Sequence, residues 1–155
     1  MGFTLTLDNI IRLYTGGLID PREDVSKHFT NVDITGGFKG GPDMFYIASS
    51  RERVKIPRRY IGYVPATDYT EGNKHLGSSD STQYIHMNAP WIDPSPCFEG
   101  KVTFEIVPIK PRELRPGMRL AELVLHRLHE SYRHSEELTS RYHGQDNAQL
   151  GKEDG

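Results

Sequence analysis

Two carboxylates in this 155-residue chain stand where a strand would ordinarily carry none. Asp93 closes the run Tyr84-Ile-His-Met-Asn-Ala-Pro-Trp-Ile-Asp-Pro94, and Glu105 lies inside Gly100-Lys-Val-Thr-Phe-Glu-Ile-Val107. An acid within an apolar strand costs free energy unless it has a partner or a task. Partial desolvation favours the neutral carboxyl, and a carboxyl so poised can pass a proton on. The structural alternatives are concrete. Glu105 can pair with Arg115 or Arg119, and Asp93, just before a proline, can simply cap its turn.

The elements that position these acids are short. Tyr84–Met87 and Lys101–Val107 read as strands, as do Asn31–Thr35, Met44–Ala48, Arg53–Ile56 and Tyr60–Val64. Thr6–Tyr14 reads as a short helix, capped by Thr6, with Asp8 in its first turn and Ile10, Ile11 and Tyr14 on one face. Gly16-Gly17 ends it. Phe38–Pro42 reads as a Gly-rich turn, and 67–82 and 110–117 as loops. In 119–128, Leu120, Leu123, Val124 and Leu128 fit helical spacing, but the Pro116-Gly117 turn and the strands upstream favour a strand over Arg119–His126. The sum is an all-β fold, a compact barrel or jelly roll with a short N-terminal helix. Residues 1–128 form the barrel, and 129–155 form a polar tail.

Composition sets the outer bounds. Hydrophobic residues make up 35%, a lean core of the kind that a small subunit completes by oligomerising. The net charge of -2 argues against bulk nucleic-acid or anionic-membrane binding. A single cysteine, Cys97, excludes an internal disulfide and fits a reducing cytoplasm. No apolar run approaches the ~18 residues of a membrane span. His126, His129 and His134 fit no zinc spacing, so no protein-held metal is expected.

The motifs together, in their order and spacing, resemble the dCTP deaminase branch of the dUTPase superfamily. Asp8–Pro21 resembles that family's N-terminal helix and its Gly-Xaa-Ile-Xaa-Pro ending. Asn31-Val-Asp33-Ile-Thr-Gly36 resembles its first strand. Ile85–Pro94, with Gly100 and Glu105, resembles its nucleoside-binding hairpin, including Asn88, Ala89 and Trp91. Arg115-Pro-Gly-Met118 resembles its late turn, and Arg141-Tyr142-His-Gly144-Gln145 its phosphate-closing segment. The resemblance implies a jelly-roll-like β-barrel assembled as a homotrimer. It also implies a pyrimidine deoxynucleoside triphosphate as ligand, with Mg²⁺ on its phosphates. It casts Glu105 as the proton shuttle for water attacking a cytosine ring, and Asp93 as the water-activating acid of the dUTPase branch. Ser78, Ser79, Arg141, Tyr142 and Gln145 are cast as phosphate contacts.

The departures are specific. Where the family carries an Arg-Ser-Ser segment with a further arginine, this chain reads Asn73-Lys-His-Leu-Gly-Ser78-Ser79-Asp80-Ser81, which keeps the serine pair Ser78-Ser79 but has no arginine. Lys74 is not a bidentate equivalent. Trp91 stands where a basic residue is often found. The His-Xaa-Glu and Pro-Cys-Xaa-Xaa-Cys pattern of zinc deaminases is missing. Three functions follow in order. They are deamination of dCTP to dUTP without zinc, dUTP cleavage to dUMP and pyrophosphate (Arg119-Leu-Ala-Glu122 resembles a diphosphatase motif), and non-catalytic nucleotide or protein binding.

Overall fold

β1 (Gly2–Tyr14) is a strand, not the short helix expected from Thr6 and the Ile10, Ile11 and Tyr14 spacing. The computed structural model describes residues 2–20, 22–64, 69–71, 74–76, 85–87, 97–108, 111–129, 144 and 146. The physical reason for the correction is that β1 is claimed by three partners. Its first residues pair with the C-terminal strand, and Ile10–Tyr14 pair on one edge with residues 29–33 and on the other with residues 46–48. Pairing and burial override local propensity. Thr6 caps nothing. Its N–H and hydroxyl both donate to the Glu52 carboxylate, at 2.7 and 2.6 Å. Ile11 is fully buried with Leu5 and Leu7, while Ile10 and Tyr14 take the other face, so both faces carry apolar residues and the alternation is obscured.

After β1, Gly16 and Gly17 turn the chain at φ of 101° and 100°, a region open chiefly to glycine. A 3-10 turn (Val25–His28), capped by Asp24, leads into β2 (Phe29–Asp33). β3 (Phe38–Gly40) replaces the expected Gly-rich turn. It pairs with β10 (Arg112–Leu114), which lies within the expected 110–117 loop. β4 (Tyr46–Lys55) merges two expected strands. The interruption at Ser49–Arg53 is a bulge, whose extra residues are held as Ser50 Oγ accepts from Val102 N–H (2.9 Å) and donates to the Glu52 carbonyl (2.7 Å). β5 (Tyr60–Tyr63) follows. The expected 67–82 loop contains the hairpin β6 (Tyr69–Glu71) and β7 (Lys74–Leu76). β8 (Ile85–Met87), β9 (Glu99–Pro108) and β11 (Arg119–Arg127) match expected strands.

The main sheet runs β5-β11-β1-β4-β9-β8, antiparallel throughout, with β2 also on β1, and it curls into a half-barrel. The all-β barrel reading holds without its helix. The helical spacing in β11 has a plain cause. The β1–β11 register slips between Leu5 and Thr6, leaving Leu120 extra, so Leu120 and Leu123 both reach the core although three residues apart. The core joins Leu5, Leu7 and Ile11 to Tyr46, Phe98, Phe104, Ile106 and Leu114.

Candidate active site on the outer sheet face

β9 alternates along its whole length. Gly100, Val102, Phe104, Ile106 and Pro108 are buried, and Lys101, Thr103, Glu105 and Val107 are half-buried on the opposite face. Glu105 therefore points away from the core. The apolar run that made it look enclosed is shared between two faces.

Register carries that outer face across four strands. Glu105 opposes Ile47 on β4, Ile47 opposes Arg12 on β1, and Arg12 opposes Asn31 on β2. Directly opposed residues point the same way, so these four form one row. Ile47, between the acid and the arginine, is only 5% exposed, although it lies on the face opposite the main core cluster. Next to this row lie Asp8, Ser49 and Thr103, with Lys101 beyond. Lys101 Nζ donates to Asp8 Oδ2 at 2.6 Å, and Ser49 Oγ donates to the same oxygen at 3.4 Å. Partial burial pushes the Asp8 carboxyl up. The Lys101 hydrogen bond, the Asn9 N–H and the lysine charge outweigh it and hold the group below its ordinary value. On the other side of the row lie Phe29, Tyr14 and Phe45, with ring centroids 5.6–6.4 Å apart in tilted and edge-on contacts.

Within this face Glu105 has no hydrogen bond or ion pair among the described residues. Neither arginine proposed as its structural partner takes it. Arg115 bonds Glu113 at 2.9 Å, and Arg119 Nη2 donates to Thr4 Oγ1 at 3.1 Å. A half-buried carboxylate with open lone pairs, on a face that also carries a cation and rings, is equipped for proton transfer to a bound ligand. Asp33 is structural. Its Oδ1 accepts from the Thr35 N–H (2.8 Å) and hydroxyl (2.6 Å), which hold its carboxyl below the usual range.

Of the other expected site residues, Asp93, Ser78, Ser79, Asn88, Ala89, Trp91, Arg141, Tyr142 and Gln145 lie outside the described residues. The backbone does locate where the hairpin motif starts. β8 ends at Met87, whose partner is Ile106, the neighbour of Glu105. Two described tail residues flank Gln145. The Gly144 N–H donates to the Glu99 carbonyl at 2.6 Å, and Asp146 pairs with Arg53. Among the described residues no three His, Cys, Asp or Glu side chains gather as a metal site. His126 instead packs edge-on against Tyr63. Sequence reasoning missed Arg12 and the Asp8–Lys101 pair. Reading β1 as a strand would have put Asp8, Ile10, Arg12 and Tyr14 on one face, but only the register with β4 and β9 shows that it is the face of Glu105.

Comparison with known proteins bears on the fold and the family. The family model described as dCTP deaminase-like matches residues 1–128. The "dCTP deaminase, dUMP-forming" of Halobacterium salinarum is 31% identical over 138 residues, 84% of this chain. The protein of the same name from Aquifex aeolicus is 34% identical over 127 residues, 80% of this chain. The chain spans 66% and 64% of those two relatives' own lengths. The crystal structure of 2'-deoxycytidine 5'-triphosphate deaminase from Agrobacterium tumefaciens shares the fold, with a TM-score of 0.55 at 19% identity over 83% of this chain and 39% of that one. Fold, motif order and family match converge, and the chain belongs to the dCTP deaminase-like family.

Proposed function

We propose that this chain deaminates dCTP, with Glu105 as the proton shuttle. The observation that carries the reading is an unpartnered, half-buried Glu105 on the outer sheet face of a dCTP deaminase-like chain. In the proposed step Glu105 accepts a proton from a water whose oxygen attacks C4 of the cytosine ring. It then gives that proton to the departing amine, so the C4–N bond breaks and ammonia leaves, and the hydroxyl proton left on the new C4 oxygen passes to N3 to give uracil. One carboxyl serves both transfers and ends as it began. Asn88, Ala89 and Trp91 are proposed to hold the base. Ser78, Ser79, Arg141, Tyr142 and Gln145 are proposed to hold the triphosphate. Mg²⁺ would arrive on the phosphates as part of the substrate, keeping most of its ligands as phosphate oxygens and water. The sequence has one cysteine and lacks the zinc-deaminase ligand pattern, which supports a water activated by carboxylate rather than by zinc. The active unit is proposed to be a homotrimer.

A second reading extends the first. The relatives are named dUMP-forming, which favours a further cleavage between the α- and β-phosphates, with Asp93 activating the second water. One incubation with dCTP, and another with dUTP, tests both readings by following ammonia and pyrophosphate together. Ammonia without pyrophosphate from dCTP gives deamination alone. Both products from dCTP give the combined reaction. Pyrophosphate from dUTP with no ammonia from dCTP overturns the proposal in favour of a diphosphatase, and no product from either leaves a binding protein.

A further inference from the structure

We propose that Arg12 is an anion-binding residue of this site, receiving a phosphate of the nucleotide whose base meets Glu105. The assignment rests on the reading of Glu105 given above. Four observations carry it.

The first is placement. Arg12, Ile47 and Glu105 are successive cross-strand partners on β1, β4 and β9. Antiparallel partners are about 4.5–5.5 Å apart, so the two charged residues are about 10 Å apart at Cα. The buried Ile47 lies between them. A ligand long enough to span that separation can touch both groups. The second is the state of the guanidinium. Arg12 is half-buried, and among the described residues no carboxylate or other acceptor takes it. A partly desolvated cation without a counter-charge is costly, and an anionic ligand removes the cost.

The third is that three other carboxylates, on β1, β2 and β4, have partners of their own. Asp8 is taken by Lys101, Asp33 by Thr35, and Glu52 by Thr6. None of them neutralises Arg12, so its charge is available to a ligand. The fourth is the composition of the segment where a phosphate-gripping arginine was expected. Residues 73–81 carry Lys74 and no arginine, and Asp80 in the same stretch repels phosphate. A planar guanidinium offers paired donors matched to phosphate oxygens, which an ammonium does not. Arg12 supplies that chemistry from a different element.

The experiment uses inorganic tripolyphosphate as the probe, so its outcome does not depend on turnover. Binding is measured by calorimetry on the full chain, on Arg12→Gln, and on Arg127→Gln as an exposed control at the far end of β11. Arg12→Gln is expected to bind tripolyphosphate roughly 10- to 150-fold more weakly, the range for losing one charge-assisted contact, with Arg127→Gln unchanged. A second measurement works on the unaltered chain, in case Arg12→Gln folds poorly. Tripolyphosphate is expected to protect Arg12 from a guanidine-specific dicarbonyl reagent, with the modified peptide read by mass spectrometry. Equal affinity in Arg12→Gln, no binding by the unaltered chain, or unprotected Arg12 each overturns the assignment. If dCTP is not turned over while Arg12-dependent tripolyphosphate binding persists, the deamination reading falls and the anion site stands.

Discussion

Glu105 and Asp8 share one sheet face in opposite states, one open and one committed. Glu105→Gln keeps the shape and removes the exchangeable proton. We expect deaminase turnover to fall by roughly 10²- to 10⁴-fold in that variant, with tripolyphosphate affinity retained. Near-normal ammonia release would make the acid structural. Asp8 behaves differently because Lys101 holds it. Its carboxyl titrates below the ordinary 3.8 in the folded chain. A depressed folded value stabilises above the unfolded value, and that contribution is lost as pH falls through the folded one. The Asp8–Lys101 contribution is therefore complete above about pH 4 to 5 and disappears at lower pH. Lys101→Met strands a half-buried carboxylate. It should cost about 1–3 kcal/mol at neutral pH and less at pH 3, read from urea midpoints at the two pH values. An equal cost at both would show that Lys101 acts through its stem rather than its charge.

At the scale of elements, β1 decides what the sequence could and could not reveal. β9 was legible because Val102, Phe104 and Ile106 alternate cleanly with Lys101, Thr103 and Glu105. β1 was not. Ile10 and Ile11 are adjacent, one on each face, and a register break between Leu7 and Ile11 spoils the period. β11 shows the same physics, since the extra Leu120 imitates a helical repeat that only its neighbours can contradict. Glu105 could be singled out as a lone acid among apolar residues. Arg12 could not, because its significance comes from cross-strand register, which no local pattern encodes. An alanine scan tests the strand directly. Ile11→Ala should cost about 2–5 kcal/mol, the usual toll of a truncated core isoleucine, and Ile10→Ala much less. Comparable losses at both positions would contradict the alternation.

For the whole molecule, the fold joins distant parts of the chain, since Gly2 pairs with Val124 along the β1–β11 seam inside the main sheet. The outer face, with half-buried Tyr14, Phe29 and Phe45 among its polar groups, suits the proposed homotrimer. Sedimentation equilibrium at micromolar concentration should give three times the monomer mass, and a single-copy mass would reject it. The β1–β11 seam also bears on how the protein is made. β1 leaves the ribosome about a hundred residues ahead of β11, and at roughly 5–20 residues per second that strand waits some 5 to 20 s for its partner. Throughout that interval Gly2–Leu5 lie along an unpaired edge, where a neighbouring nascent chain could add its own strand. β2 and β4 emerge early and can shelter Leu7 and Ile10–Tyr14, and Glu52 can bond Thr6, but residues 2–5 find their strand partner only in β11. Slowed translation between residues 14 and 119 should therefore raise the aggregated fraction, and a holdase that binds the first strand should lower it.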